Sequence, residues 1–168
     1  MRRVDKEIDN FREIWAIINA CATARVAMVD EENKPYVVPM NFGFTAEATG
    51  PVFYFHCAGS GQKLDILRKK PAVCIEVDIE GGVVQAEEPC AYSYAYMSVL
   101  SYGNATILTD TAEKRQALTE IMHHVNRAQA ETAREEEKEY TFSPDMVEAV
   151  TVFKVVVDRM SGKKSTGV

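Results

Sequence analysis

The sequence predicts a mainly β protein with flanking helices, built as a small antiparallel barrel. Three observations predict it. Strand-like segments follow one another through short polar turns instead of alternating with helices. About six such segments occur, mostly consecutive, which argues against a doubly wound sheet. Helical periodicity is confined to two or three stretches, roughly one at the start, one mid-chain and one late.

Asp5–Ala22 reads as an amphipathic helix, because Ile8, Phe11, Trp15, Ile18 and Ala22 recur at three- and four-residue steps. The period then changes to that of strands. Arg25–Asp30 is a short strand, the polar run 31–34 a turn, and Pro35–Phe44 a second strand. Pro39 cannot donate to a ladder, so this strand is expected at an edge or interrupted there. Val52–Cys57, dense in aromatic and β-branched residues, is a third strand. Gly59-Ser60-Gly61 breaks the pattern, and Gln62–Lys70 is a short helix that Pro71 ends. Val73–Asp78 is a fourth strand and Ile79–Cys90 a loop. Tyr94–Leu108 is a long strand whose Gly103 predicts a bulge or a close backbone approach. Asp110 and Glu113 form a helix-start pattern for a helix carrying Leu118, Ile121, Met122 and Val125. The charge run Ala130–Tyr140 reads as a solvated helix end or connection. Val147–Asp158 is the last strand, before a polar tail. The expectation is one domain over 1–168, with an N-terminal helix at 1–23, a charged connection at 129–146 and the tail at 159–168.

The formal net charge of −6 argues against nucleic acid as a partner, since phosphate backbones need a basic face. No apolar run approaches the ~20 residues of a membrane helix. The charged N-terminus lacks the apolar centre of a signal peptide, so a cytoplasmic protein is expected. Cys21, Cys57, Cys74 and Cys90 are spaced too irregularly for a zinc motif and are expected as free thiols.

Three segments could carry chemistry. In His56–Lys63 a strand runs through a small-residue loop into a helix, whose first N–H groups lack internal partners. With the dipole and the Lys63 ammonium, this is an anion site in waiting. Arg68, Lys69 and Lys70 make it the densest basic cluster of an acidic chain. The competing reading is an ordinary helix start with a solvated basic end. Tyr36–Phe44, interrupted at Pro39, could offer free backbone groups to a flat heterocycle, or be a plain edge strand. Tyr92, Tyr94, Tyr96 and Ser98 share one side of the long strand and could meet a ring system, or make cross-strand pairs. His56 and Cys57 are adjacent on a strand and point to opposite faces, so they are no nucleophile–base pair. His123 and His124 have no ligand-spaced partner and read as surface or core residues.

Taken in order, these segments resemble the pyridoxamine 5′-phosphate oxidase-like split barrels. The subgroup resembled is that of the nitroimidazole-resistance (Nim) proteins. The resemblance rests on ARVAMVD, PYVVPMNFGF, YFHCAGSGQKLDILR, VCIEVD, CAYSYAYMSVLSYGNA and VDRMSGKK, in that order, and covers nearly the whole chain. It implies a six-stranded Greek-key split barrel, a homodimer, and two FMN sites at the subunit interface, with FAD as the alternative flavin. By position, Pro39, Met40 and Asn41 would border the isoalloxazine. His56 would sit beside the flavin as the catalytic residue. Ser60, Gly61 and Lys63 would hold the phosphate, Ser98 and Val99 would approach the cofactor, and Lys163 would complete the site. No metal is implied.

The tail SGKKSTGV lacks the arginine- and histidine-bearing end of true pyridoxamine phosphate oxidases, which argues against vitamin B6 oxidation. The implied activity is that of an FMN-dependent oxidoreductase, nitroreductase-like, acting on nitroaromatic or other small electron acceptors. The alternatives are a non-catalytic flavin-binding module for storage, sensing or electron relay, and a barrel that binds haem or a deazaflavin instead.

Overall fold

The computed structural model describes residues 3–47, 50–129 and 139–166. Eight strands are present among them: β1 (Glu7–Ile8), β2 (Ala24–Val29), β3 (Pro35–Met40), β4 (Gly43–Glu47), β5 (Gly50–Cys57), β6 (Ala72–Val84), β7 (Ser93–Ile107) and β8 (Thr151–Ser165). The helices are α1 (Phe11–Ala20), α2 (Gln62–Lys69), α3 (Thr111–Gln129) and the single turn α4 (Pro144–Glu148). All ladders are antiparallel, in the order β3-β2-β6-β7-β8-β5-β4, with β1 added on β8.

This order forces the sheet to roll up. β3 and β4 are its two edges, and laid flat they would stand roughly 29 Å apart. Yet only Asn41 and Phe42 separate them in the chain, and the step from Met40 to Gly43 spans about 11 Å at most. The edges therefore meet at a seam without pairing, which makes a split barrel. β3 is an edge strand, as Pro39 requires.

Several expected boundaries are corrected. The opening helix starts at Phe11, not Asp5, because the Asn10 side chain caps it by accepting from the Arg12 N–H at 2.9 Å. Residues 4–6 form a 3₁₀ turn and 7–8 pair with β8. The run Pro35–Phe44 is two strands, broken at the seam. The stretch from Ile79 to Val84, expected as loop, continues β6 past an irregularity at Glu80/Gly82. The expected polar tail is strand as far as Ser165, because β7 offers it a partner. The barrel thus has more strands than the six expected. Most of the charge run, residues 130–138, lies outside the described residues.

Other expectations stand. Asp110 Oδ1 accepts from the Glu113 N–H at 2.8 Å and starts α3. At Gly103 the β7–β8 register shifts, and a Cβ there would overlap the Val156 carbonyl.

Inside the barrel Phe42, Phe53, Phe55 and Phe153 are fully buried. Their rings meet in pairs, Phe42–Phe53 at 5.4 Å and Phe55–Phe153 at 5.0 Å. Each such ring contributes about 1.5–3 kcal/mol of burial. α1 closes the barrel with Ile14, Ile17 and Ile18. α3 covers β4 and β5 through Ala117, Leu118 and Ile121.

Candidate cofactor site

β5 ends at Cys57 and a short loop leads to Gly61, the residue before α2, at φ +133°. A left-handed backbone is open to glycine and strained for other residues. The Gly61 carbonyl accepts from Leu64 N and Asp65 N, and no side chain caps the helix. The earlier amides of α2 thus point out of its start, where the dipole favours an anion. Tyr36, Cys57, Ala58, Ser60, Gly61, Gln62, Lys63 and Leu64 line a cleft of about 180 Å³ there.

The basic cluster sorts itself by partner. Arg68 pairs with Asp65 at 3.4 Å and Lys69 with Glu31. Lys70 donates to the Asp30 carbonyl at 2.8 Å and to Asn33 Oδ1 at 2.9 Å. Lys63 differs: its half-buried ammonium lies 3.3 Å from the thioether sulfur of Met40. A thioether is a weak acceptor. Among the described residues no carboxylate pairs with Lys63.

His56 lies on β5 opposite Val152. Its imidazole pKa is lowered, first by partial loss of water and then by the Lys63 ammonium. Burial raises the Cys57 thiol, with Lys63 and Arg68 opposing. Asn41 donates through Nδ2 to the Ala22 carbonyl at 2.9 Å. Pro39 is exposed opposite Arg25, whereas Met40 is 8% exposed. Pro39, Met40, Asn41, His56, Ser60, Gly61 and Lys63 therefore gather around the seam and the start of α2.

Ser98, Val99 and Lys163 do not. Ladder pairing runs Met40–Ala24, then Val26–Ile75 one turn of the pleat on, then Val77–Val99 and Val99–Gly162. β7 is the middle strand of the seven, so it forms the wall opposite the seam. Val99 is 1% exposed and packs in the core, which leaves its side chain nothing to offer a ligand at the surface. Ser98, its neighbour on the other face, points outward. Ser98 pairs with Lys163, whose ammonium lies 5.5 Å from the centre of the Tyr96 ring.

Sequence reasoning did not single out Tyr36 or His124, though core was one of its two placements for His124. Tyr36, at the cleft, shows only as one more aromatic on an edge strand. His124 is buried against Phe42 at 4.1 Å, and nothing in the helix period singles it out.

The imidazoles of His56 and His124 are both harder to protonate in the folded chain, His124 chiefly through burial and the more exposed His56 through partial loss of water. The unfolded chain then binds more protons below about pH 6.5, so stability is full above that value and falls as pH drops through it. Urea midpoints at pH 7.5 and 5.5 should show this loss, and His124→Gln should shrink it. Equal midpoints would contradict the assignment.

The four cysteines are free thiols. Among the described residues no cluster could hold a metal ion, and no helix is long and apolar enough to cross a membrane.

Comparison with known proteins gives the frame. The profile of the family described as pyridoxamine 5′-phosphate oxidase matches residues 10–164. A candidate 5-nitroimidazole antibiotic resistance protein from Bacteroides thetaiotaomicron is 32% identical, over 94% of this chain and 86% of that one, with a TM-score of 0.76. A flavocytochrome from Azotobacter vinelandii is 21% identical over 99% of this chain and 72% of that one, with a TM-score of 0.77. An FAD and heme binding protein from Mycobacterium smegmatis is 19% identical over 96% and 74%, with a TM-score of 0.76. At such identities the last two show the fold alone. No curated protein matches the sequence. With a profile match across nearly all of its length, this split barrel belongs to the pyridoxamine 5′-phosphate oxidase family.

Proposed function

We propose that this protein is an FMN-dependent oxidoreductase that works as a homodimer and reduces nitroaromatic or other small electron acceptors. The observation that carries the reading is Lys63. Its ammonium stands at an uncapped helix start, beside a small cleft, with a thioether as its acceptor among the described residues. That donor set suits a dianionic phosphate. The cleft is smaller than the 300–1,000 Å³ typical of drug-sized ligands. It fits the phosphate end, and the ring would extend past Met40 and Asn41. FAD would present the same ring with a longer tail, and the small cleft favours FMN.

Geometry supports the homodimer reading, given that the resemblance assigns Ser98 and Lys163 to the flavin. On one chain Ser98 and Lys163 face outward on the wall opposite the seam, so one flavin cannot touch them and Lys63 together. A second chain can supply them, giving two equivalent sites related by a two-fold axis. Mixing Lys63→Ala with Lys163→Ala chains tests this. After subunit exchange about a quarter of the sites carry both lysines, and FMN binding should return to that extent. No recovery would mean that each chain builds its site alone.

Bound FMN would carry the electrons, and the protein would orient and tune it. His56 would serve beside the ring as an imidazole whose pKa is lowered by partial loss of water and by the Lys63 ammonium. Anaerobic photoreduction, then mixing with metronidazole, tests the enzyme reading. Reoxidation should outpace that of free reduced FMN. His56→Ala should slow it about 10²-fold, the lower range for a positioned acid or base, while sparing FMN affinity. Reoxidation no faster than free FMN would favour a flavin-binding module without turnover.

A further inference from the structure

We propose that His124 is a positioning residue of the cofactor site, through which α3 holds the Asn41–Phe42 corner in place. This rests on the reading of Pro39–Asn41 as the border of the flavin ring. The corner belongs to neither β3 nor β4, so no ladder hydrogen bonds fix it. It nevertheless lies where the barrel edges meet, and it must hold still if it is to border a ring.

Besides the packing of Phe42 on Phe53 inside the barrel, the Ala22 carbonyl and α3 hold it. His124 is 1% exposed and its Nε2 lies 2.9 Å from the Cys21 carbonyl. A carbonyl only accepts, so Nε2 carries the proton and donates. The next carbonyl along, that of Ala22, accepts from Asn41 Nδ2 at 2.9 Å. The His124 ring packs on Phe42 with centroids 4.1 Å apart. The α3 backbone at Glu120 and Ile121 rests on Gly43 so closely that a Cβ there would come within 2.7 Å of it. His124 thus fixes the Cys21–Ala22 carbonyls on one side of the corner and Phe42 within it. Its Nδ1 is buried without a partner. Nδ1 is then the acceptor nitrogen of a neutral ring whose one hydrogen bond is the clasp.

His124 touches no candidate ligand atom, so its effect must pass through Asn41. The test compares His124→Leu with His124→Gln, whose amide keeps an N–H aimed at Cys21. Two quantities are read: FMN affinity by titration, and the Asn41 side-chain amide resonances by ¹⁵N NMR. His124→Leu should shift those resonances and weaken FMN binding about three- to tenfold, as expected for one lost hydrogen bond. His124→Gln should restore both. Should His124→Leu fail to fold, His124→Asn, too short to reach Cys21, takes its place. Unmoved Asn41 resonances in the variant that lacks the bond, or equal effects in all variants, would overturn the proposal. If the wild type binds no FMN while the Asn41 resonances follow the variants, the flavin reading fails and the clasp stands.

Discussion

Replacing Lys63 with alanine should weaken FMN binding by about one to two orders of magnitude and leave the fold unchanged. A charge-assisted bond to phosphate contributes roughly 1.5–3 kcal/mol, and each 1.4 kcal/mol is tenfold in affinity. The fold should not notice, because the ammonium's contact within the chain is the Met40 thioether. Losing so weak an acceptor contact should keep stability within about 0.5 kcal/mol. Arg68, Lys69 and Lys70 serve as internal controls. Each is already paired within α2 or with the β2–β3 turn, so alanine there should change FMN affinity little. Isothermal titration across this set decides the matter. Equal affinity for wild type and Lys63→Ala would place the phosphate elsewhere.

Gly103→Ala should cost about 3 kcal/mol or more, at the upper end for overpacking. At Gly103 the β7–β8 register shifts, from Tyr102 opposite Arg159 to Gly103 opposite Val157, which leaves Asp158 as the extra residue. A methyl there would collide with the Val156 carbonyl and with Val155 Cγ1, both in a strand paired on its two sides. For a chain of this length about 2–4 °C of melting temperature go with each kcal/mol, so a drop of roughly 6–12 °C is expected. The functional consequence lies further along the same ladder. The bulge sets the register that brings Lys163 opposite Ser98. The variant should therefore lose FMN affinity as well as stability. Gly59→Ala is the control, because a Cβ there meets nothing within 4 Å. A melting temperature for Gly103→Ala within a degree of wild type would show that β8 yields easily at this point.

Much of the fold was legible in the chain because its cues are local. The aromatic and β-branched density of Val52–Cys57, the cap at Asp110 and the edge proline Pro39 each act through neighbours within a few residues. The errors cluster where a distant partner decides. Residues 159–165 carry Gly162, Lys163 and Lys164 and look like a tail, yet become strand because β7 continues beside them. Ile79–Val84 does the same against β7 from the other side. Pro35–Phe44 looks like one strand, and only closure of the barrel breaks it at Asn41.

The candidate site divides along the same line. Glycines before a helix, a lysine in its first turn and a histidine ahead of them are local, and the sequence alone marked the start of α2 as a candidate anion site. That Lys63, of the four cations there, is left among the described residues with a thioether instead of an oxygen acceptor was decided in part by the β2–β3 turn, which engages Lys69 and Lys70. Only the tertiary structure put Ser98 and Lys163 on the far wall, and His124 behind the Asn41 corner. The physical reason is that strand order and register are set by pairings between residues far apart in the chain. Hydrophobic periodicity tells which face of a strand is buried and is silent on which strand lies beside it.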